Sequence, residues 1–375
     1  MKVKNLDAIF FFASITFGIV LFGFSNSSQA SVSGLCSNCH TMHNSQGGQL
    51  VDGAGPNPTL LTNDCIGCHS SSESSTYYAL AGGCNVPVVL YTGGAPTEYL
   101  AGGNFWWVKQ GLGGNDTKGH NVFLNEDDDY LDEAPGAFPT CVDGCHENFS
   151  RPYPSGDDYG NIGHKYGCQG CHINVRHHAS DHPNGESGLV DSVEKGWYRF
   201  LSGHDANKGV KGYEDGNWEA GHPDLSPGTD AHNEYMGHAT SHVYIIDDVT
   251  GFCTACHAYF SSAYTFDDTR GQVDTHGHWI RHPSDAIIPD EGEYADAGGA
   301  THLYDPLTPV AKPAVDDSPD TTVTPGADMV MCLSCHRPHG SPYPDMLRWD
   351  YTQQIAGGGG DDGKGCFYCH TLKDD

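Results

Sequence analysis

The stretch Cys36-Ser37-Asn38-Cys39-His40-Thr41-Met42-His43 sets a pattern that the rest of the chain repeats. Two cysteines separated by two residues and followed directly by a histidine form the attachment motif of c-type haem. In such a motif the two thiols add to the porphyrin vinyl groups, and the histidine binds the iron as its proximal ligand. The stretch therefore predicts a covalently bound haem c on Cys36, Cys39 and His40.

Repetition of the motif along the chain argues against chance. Five more regular copies are present, together with one copy that has an extra residue between its cysteines. They are Cys65/Cys68/His69, Cys141/Cys145/His146, Cys168/Cys171/His172, Cys253/Cys256/His257, Cys332/Cys335/His336 and Cys366/Cys369/His370. Zinc sites or disulfides would explain paired cysteines, but neither requires a histidine after every second cysteine. We expect seven covalently attached haem c groups.

Histidine is abundant enough to supply a second axial ligand to every iron. Seven of the 23 histidines are proximal, so sixteen remain for seven distal positions. His43 and His339 each lie three residues beyond a proximal histidine, a spacing that puts both imidazoles near one face of a helical turn. Neither can then reach the opposite side of the same iron, and we expect each to serve a neighbouring haem. The other distal candidates are His120, His164, His178, His232 and His282, with His177, His204, His238, His242, His276, His278 and His302 in reserve.

Composition favours a fold built around haem rather than around a conventional hydrophobic core. Only 37% of the 375 residues are hydrophobic, and 49 are glycine. No apolar periodicity is long enough to predict a large helix bundle or sheet. We expect a haem-packed multihaem cytochrome c that is mostly irregular, with few strands and with short helices just after the haem motifs. Five prolines between residues 306 and 325 predict an extended surface segment there.

The N-terminus and the charge indicate an exported, acidic protein. A basic start, an apolar run from Ala8 to Phe24 and a cleavage site at Ser28-Gln29-Ala30 predict that residues 1–30 are a secretory signal peptide. An uncleaved membrane anchor is the alternative, because the run is about long enough to span a bilayer. Residues 31–375 would then form one seven-haem region without a predicted internal boundary. The net charge of −30 argues against nucleic acid as a partner.

Several short stretches match those of a known family in the same order along the chain. They are Cys36–Gly48, Gly103-Asn104-Phe105 with Trp107-Val108-Lys109, Lys118–Asn121, Arg281-His282-Pro283, and Cys332–His339 with Met346-Leu347-Arg348. The last CxxCH motif, close to the C-terminus, also fits. In these stretches the chain resembles the bacterial outer-surface multihaem c-type cytochromes, some of which polymerise into conductive filaments. The matching stretches are short, but together they span most of the chain.

The resemblance implies low-potential haems that are each held by two histidines and stacked in a continuous chain. It also implies electron transfer to extracellular acceptors from the outer cell surface, with other redox proteins as partners. In the filament-forming members, the histidine that matches His43 ligates a haem of the adjacent protomer. That haem is the one that matches His336, so the resemblance implies a head-to-tail homopolymer.

Two other functions stay open from the residues alone. A periplasmic electron shuttle would use the same haems in another compartment. A multihaem oxidoreductase would need one iron with an open axial position, for which the irregular motif at Cys141, Cys145 and His146 is the first candidate. Every motif ends in histidine rather than in an unusual proximal residue. We therefore expect an electron carrier without catalytic residues.

Haem stoichiometry tests the irregular motif. Because each motif attaches one haem through two thioether bonds, the intact mass of the processed protein should exceed that of its chain by seven haem groups. Mass spectrometry of the wild type and of the double variant Cys141→Ala/Cys145→Ala measures this excess, and the variant should carry one haem fewer. A wild-type mass with six haems would show that the Cys141 motif attaches none.

Overall fold

Regular secondary structure is confined to very short pieces of this chain. The computed structural model describes residues 32, 34–53, 55–113, 115–123, 167–179, 187–202, 207–239, 247–257, 260, 282, 284, 286–358 and 364–373. Within these parts, every helix and strand is two to five residues long. None of the helices described there is long and apolar enough to cross a membrane. The expectation of a mostly irregular chain with short helices and few strands is confirmed.

The α-helices of the described residues coincide with haem motifs rather than following them. They are α1 (Cys65–Cys68), α2 (Cys168–Cys171), α3 (Val249–Cys253) and α4 (Cys332–Cys335). Asp64 and Asp248 cap α1 and α3 by accepting the N–H of the residue three positions on. The prediction of helices just after the motifs is therefore wrong, because each helix ends at a cysteine of its motif. Tighter 3-10 helices lie at Cys36–Asn38, Phe105–Trp107, Asp116–Lys118, Tyr198–Phe200, Gly292–Tyr294, Pro344–Met346, Tyr351–Gln353 and Gly365–Tyr368.

Short strands assemble into one larger sheet and three two-stranded pairs. The strands are β1 (Ser45–Gln46), β2 (Gln49–Leu50), β3 (Ser70–Ser71), β4 (Tyr77–Ala79), β5 (Asn85–Pro87), β6 (Leu90–Tyr91), β7 (Gly188–Val190), β8 (Gly212–Glu214), β9 (Glu234–Met236), β10 (Ala286–Ile287), β11 (Ala311–Lys312) and β12 (Met329–Val330). The larger sheet has the order β10-β12-β11-β9-β8-β7, and within it only β9 and β11 run parallel. The pairs are β1 with β2, β3 with β6, and β4 with β5.

Three small hydrophobic clusters take the place of one large core in the described residues. The first joins the sheet to the start of α3 and comprises Tyr198, Val210, Tyr235, Val249, Ala311, Met329 and Met331. The second comprises Ile288, Ala297, Tyr304, Val310, Val323 and Tyr368. The third comprises Leu90, Phe105, Val108 and Phe123. Cysteines of the haem motifs, such as Cys253 and Cys369, pack against these clusters.

The proline-rich segment 306–325 is partly in the interior, which corrects the prediction of a surface segment for its first part. Val310 and Val323 are 1% and 3% exposed and belong to the second cluster, whereas most residues from 313 to 320 are exposed. Lys312 lies in β11, and its carbonyl oxygen accepts the N–H of Gly237. The prolines lack N–H donors, but residues between the first of them still pair with the sheet, so proline content alone does not keep that part at the surface.

A buried carboxylate joins two loops beside the sheet. Glu219 is 2% exposed, and it accepts the N–H of Asn233 at 2.6 Å. The side-chain oxygen of Asn233 in turn accepts hydrogen bonds from the Arg199 guanidinium and from the N–H of Asp215. Burial raises the pKa of Glu219 to about 7, against an ordinary value of 4.5.

Replacement of this carboxylate by an amide should remove a pH dependence of stability. The pKa of Glu219 is higher in the folded than in the unfolded chain, so its contribution to stability falls as pH rises from 4.5 through about 7. Over this range the wild type should lose about 3 kcal/mol of unfolding free energy relative to Glu219→Gln. Denaturant titrations of the haem-loaded proteins, followed by circular dichroism, measure the difference.

The exposed Glu291 provides the matched control, because Glu291→Gln makes the same change from carboxylate to amide at the surface rather than in the interior. A difference between the wild type and Glu219→Gln that stays constant from pH 4.5 to pH 8 would contradict the buried titration.

Candidate haem sites

Six haem motifs lie in described residues, and all six close the same turn. In each motif the N–H of the proximal histidine donates to the carbonyl oxygen of the first cysteine, at 2.8–3.1 Å. This turn brings two thiols and one imidazole together locally, as attachment of a haem through both thiols and ligation by the imidazole require. The seventh motif, at Cys141, Cys145 and His146, lies outside the described residues.

The six described motifs differ in where their second cysteine lies. In α1, α2 and α4 it is the last helical residue, whereas Cys39, Cys256 and Cys369 lie beyond the end of a helix. In these three motifs the N–H of the second cysteine donates to the carbonyl oxygen of the first, at 3.1–3.3 Å. The assignment of Cys256 as a haem-attachment residue, like that of the other motif cysteines, stays a prediction from the motif.

Ten histidine rings of the described residues form five facing pairs. They are His40 with His178 (6.1 Å between ring centres), His69 with His177 (6.1 Å), His120 with His257 (6.2 Å), His172 with His339 (6.2 Å) and His282 with His370 (6.3 Å). Each pair joins one proximal histidine to a histidine from another part of the chain. The rings are too far apart for direct stacking contact.

The spacing matches two imidazoles that bind one metal from opposite sides. With a metal–nitrogen bond of about 2.0 Å and the ring centre roughly 1 Å behind the nitrogen, the two ring centres lie about 6 Å apart. His232 shows what direct contact looks like, since its ring stacks on Tyr304 at 4.1 Å. Tyr99 and His222 are also 6.2 Å apart, but Arg337 lies against both rings.

Backbone carbonyls leave the second ring nitrogen of several histidines available for a metal. Nδ1 of His69 is 2.9 Å from the Pro87 carbonyl oxygen, and Nδ1 of His172 is 2.9 Å from that of Arg199. His120 makes the same bond to Pro338 at 3.0 Å. A carbonyl oxygen only accepts, so Nδ1 carries the hydrogen and Nε2 keeps its lone pair. This outer hydrogen bond is usual for metal-ligating histidines.

Burial keeps several of the paired imidazoles neutral. The pKa of His339 falls to about 3, first because of burial and then because of the neighbouring His172. Burial and a facing histidine likewise lower the pKa of His120 and of His177 to about 4. A protonated imidazole cannot bind a metal through the protonated nitrogen. These rings are therefore already in the ligating state at neutral pH.

The distal candidates chosen from the sequence differ in where they lie. His120, His178, His282 and His339 each face a proximal histidine. His177 also faces one, although the sequence placed it only in reserve; its position next to His178 was the signal for a second ligand. His232 is buried against Tyr304, a packing position. His164 lies outside the described residues.

Two histidines stand apart from these pairs. The proximal His336 faces no other histidine ring within the described part of the chain, and its Nδ1 lies 2.8 Å from the Asp345 carbonyl oxygen. His43 is exposed, and its Nδ1 lies 2.9 Å from the Asn57 carbonyl oxygen. Both therefore have the ligating tautomer of the paired histidines, with Nε2 left for a metal.

Short segments and neighbouring thiols join one site to the next. His177 and His178 are consecutive, yet they face the proximal histidines of two different motifs. His339, three residues after the proximal His336, faces His172 of another motif. The side chains of Cys65 and Cys168 lie next to each other, and so do those of Cys253 and Cys332. Successive sites are therefore in contact.

A buried cation with unused donors provides a test of whether haem fits here. Arg337 directly follows a proximal histidine and is fully buried, and burial together with Arg348 lowers its pKa to about 9. One of its Nη atoms bonds Nδ1 of His222 at 3.0 Å, but Nε and the other Nη have no hydrogen-bond partner among the described residues. Buried guanidinium donors of this kind fit a carboxylate, and haem carries two propionates.

Comparison with known proteins agrees with this assignment. The family described as "Doubled CXXCH motif" matches residues 324–375. The chain is 25% identical to the C-type cytochrome OmcS of Geobacter sulfurreducens over 379 residues, which cover 86% of this chain and 80% of that protein. The comparison confirms the resemblance to outer-surface multihaem c-type cytochromes and, with the motifs, supports covalently bound haem c.

Two solved structures are also similar at 19% identity. "Outer Membrane Cytochrome S Filament from Geobacter Sulfurreducens" gives a TM-score of 0.41 and covers 88% of this chain and 86% of its own. "Cryo-EM of the OmcS nanowires from Geobacter sulfurreducens" gives 0.42 and covers 92% and 93%.

Removal of one facing histidine should open one iron. In His339→Ala the proximal His172 loses its facing ring, so one haem per chain should become high-spin and bind carbon monoxide when reduced. Absorption spectra of the reduced proteins with and without carbon monoxide measure this change. His302→Ala is the control, because His302 faces no proximal histidine among the described residues, and it should resemble the wild type. Equal carbon monoxide binding by wild type and His339→Ala would exclude His339 as a ligand.

Proposed function

We propose that this multihaem c-type cytochrome carries electrons along seven covalently attached haems, each held between two histidines, towards acceptors outside the cell. The observation that carries the proposal is the set of five facing imidazole pairs at 6.1–6.3 Å. Haem iron supplies one-electron reduction and oxidation when bound. The histidine pairs would fill both axial positions, which leaves no position for a substrate and favours a carrier over an enzyme.

Contact between sites supports conduction through the chain. Electron tunnelling weakens steeply with distance, so a conductor needs neighbouring sites in close succession. The consecutive His177 and His178 tie two sites together, and the neighbouring side chains of Cys65 and Cys168 bring the second of these sites next to a third. The neighbouring side chains of Cys253 and Cys332 do the same further along the chain. Electrons would pass between these sites without large movements of the protein.

Assembly into a head-to-tail homopolymer is the second part of the proposal. His43 and His336 have matching tautomers, and neither faces a histidine ring within the described part of the chain. His43 of one copy would complete the site of His336 in the next copy. Because such a contact uses two different surfaces, it repeats as an open filament unless its rotation closes a ring. The two similar solved structures are described as a filament and as nanowires, which is consistent with this arrangement.

The surface around His43 supports a role in subunit contact. Met42 is 72% exposed, Leu50 61% and Leu35 57%. Leu60 and Leu61, of the same N-terminal region, are exposed as well. A protein with a net charge of −30 would gain from covering so much apolar surface at one end of its chain. Such a filament would act at the outer cell surface. The predicted signal peptide would direct the first step of export to that surface.

A single substitution tests the filament. In His43→Ala the bond between subunits is lost, so filaments should be absent by electron microscopy, and one haem per chain should become high-spin. Added imidazole should restore the low-spin spectrum without restoring filaments, because free imidazole fills the axial position but joins no subunits.

His302→Ala is the matched control for this test. Nδ1 of His302 also bonds a backbone carbonyl oxygen, that of Ala297, so His302 is the competing candidate for the His336 site. Filaments that persist in His43→Ala, or that disappear only in His302→Ala, would contradict the role of His43.

A further inference from the structure

The five facing histidine pairs differ in the angle between their ring planes. The planes are nearly parallel in His40/His178 (18°) and His69/His177 (16°). They are inclined at 54° in His172/His339 and at 53° in His120/His257. In His282/His370 they are nearly perpendicular, at 76°. Following the order of the proximal histidines, the angle is smallest in the first two motifs and largest in the last.

Specific contacts of the protein fix these planes. The consecutive residues His177 and His178 orient the rings of the two parallel pairs together, and His69 is held by its bond to the Pro87 carbonyl oxygen. In the perpendicular pair, His370 meets the ring of Tyr294 edge-on, with 5.2 Å between ring centres. The planes are therefore properties of the fold rather than of freely rotating rings.

The angle between two axial imidazoles affects the electronic state of ferric iron. Each ring donates π-electron density into the iron d orbital whose lobes stand perpendicular to the ring plane. When the rings are parallel, both raise the same orbital, which then holds the unpaired electron, and ferric iron is stabilised. When the rings are perpendicular, they raise two different orbitals equally, and this stabilisation is lost. The axial ligands thus tune both the potential and the magnetic anisotropy of the iron.

We infer that ring-plane angle creates a direction for electrons within the chain. Ferric iron is favoured at the parallel pairs His40/His178 and His69/His177, and ferrous iron is favoured at the perpendicular pair His282/His370. One electron that leaves a ferrous site at the N-terminal motifs and reduces a ferric site at His370 therefore moves downhill. This inference rests on the proposed ligation of each iron by two histidines.

A nearby carboxylate could oppose this order, but its geometry limits the effect. A carboxylate that accepts the Nδ1 hydrogen of a ligating histidine makes the imidazole more anionic and favours ferric iron. Oε1 of Glu293 is 3.6 Å from Nδ1 of His370, which is beyond hydrogen-bond length. Lys373 lies 3.6 Å from the other oxygen of the same carboxylate and offsets its charge. No direct hydrogen bond from Glu293 to His370 therefore opposes the preference for ferrous iron that the ring-plane angle gives this site.

Electron paramagnetic resonance of the haem-loaded wild type, poised at a series of potentials, tests the inference. Parallel ligands give a rhombic low-spin signal, and perpendicular ligands give a low-spin signal with a much larger maximum g value. Both signals should be present in the oxidised protein, and the large-g signal should disappear first as the potential is lowered. A single class of signal, or loss of the rhombic signal first, would overturn the inference. A large high-spin signal would instead count against the histidine pairs themselves.

Two matched variants assign the signals to their sites. Methionine also binds haem iron, so a distal histidine can be replaced without leaving an open position. His282→Met should remove the large-g signal and leave the rhombic signal unchanged. His177→Met should reduce the intensity of the rhombic signal by the contribution of one haem. The large-g signal should stay unchanged. Loss of the rhombic signal in His282→Met, or of the large-g signal in His177→Met, would overturn the inference. If a variant fails to fold, the series of potentials on the wild type still tests it.

Discussion

Facing imidazoles from distant segments are the constraint on which the described structure depends. His120 faces His257, and His172 faces His339, with 6.2 Å between the ring centres in each pair, a separation that fits two imidazoles on one metal. Closing such long loops costs conformational entropy, and no element longer than five residues is present in the described parts to offset it. Haem ligation would supply that free energy, as metal binding does in other small-core proteins. The three hydrophobic clusters then fill the space between the sites.

Burial lowers the pKa of both kinds of basic group around these sites, with different consequences for each. It lowers the pKa of imidazoles such as His339, which keeps them neutral and ready to bind iron. For Arg337 the same burial is costly, since two of its donor atoms lack a partner in the part of the chain that the structure describes. A haem propionate placed there would offset this cost and add charge-assisted hydrogen bonds. The acidic cofactor and the basic pocket would stabilise each other.

Short segments that serve two sites explain how a chain with so little regular structure could conduct. The dipeptide His177-His178 and the segment from His336 to His339 each reach two motifs. Such sharing fixes the separation of neighbouring sites through a few covalent bonds, which is more rigid than packing alone. The angles between ring planes, set by the same local contacts, would add a preferred direction to the path.

The amino-acid sequence by itself determined the attachment chemistry, because CxxCH is a local motif whose turn closes within five residues. It also predicted, from a helical spacing, that His339 serves a motif other than its own, although α4 ends at Cys335 and the segment from His336 to His339 lies beyond it. It did not distinguish His232, whose ring packs on Tyr304, from His177, whose ring faces His69. Segment 306–325 was likewise assigned to the surface, which holds for most residues from 313 to 320 but not for Val310 and Val323. These features depend on which distant segments meet, and histidine has the same local pattern whether it faces iron, a tyrosine ring or solvent. Only the tertiary structure, which brings such segments together in space, decided between those roles.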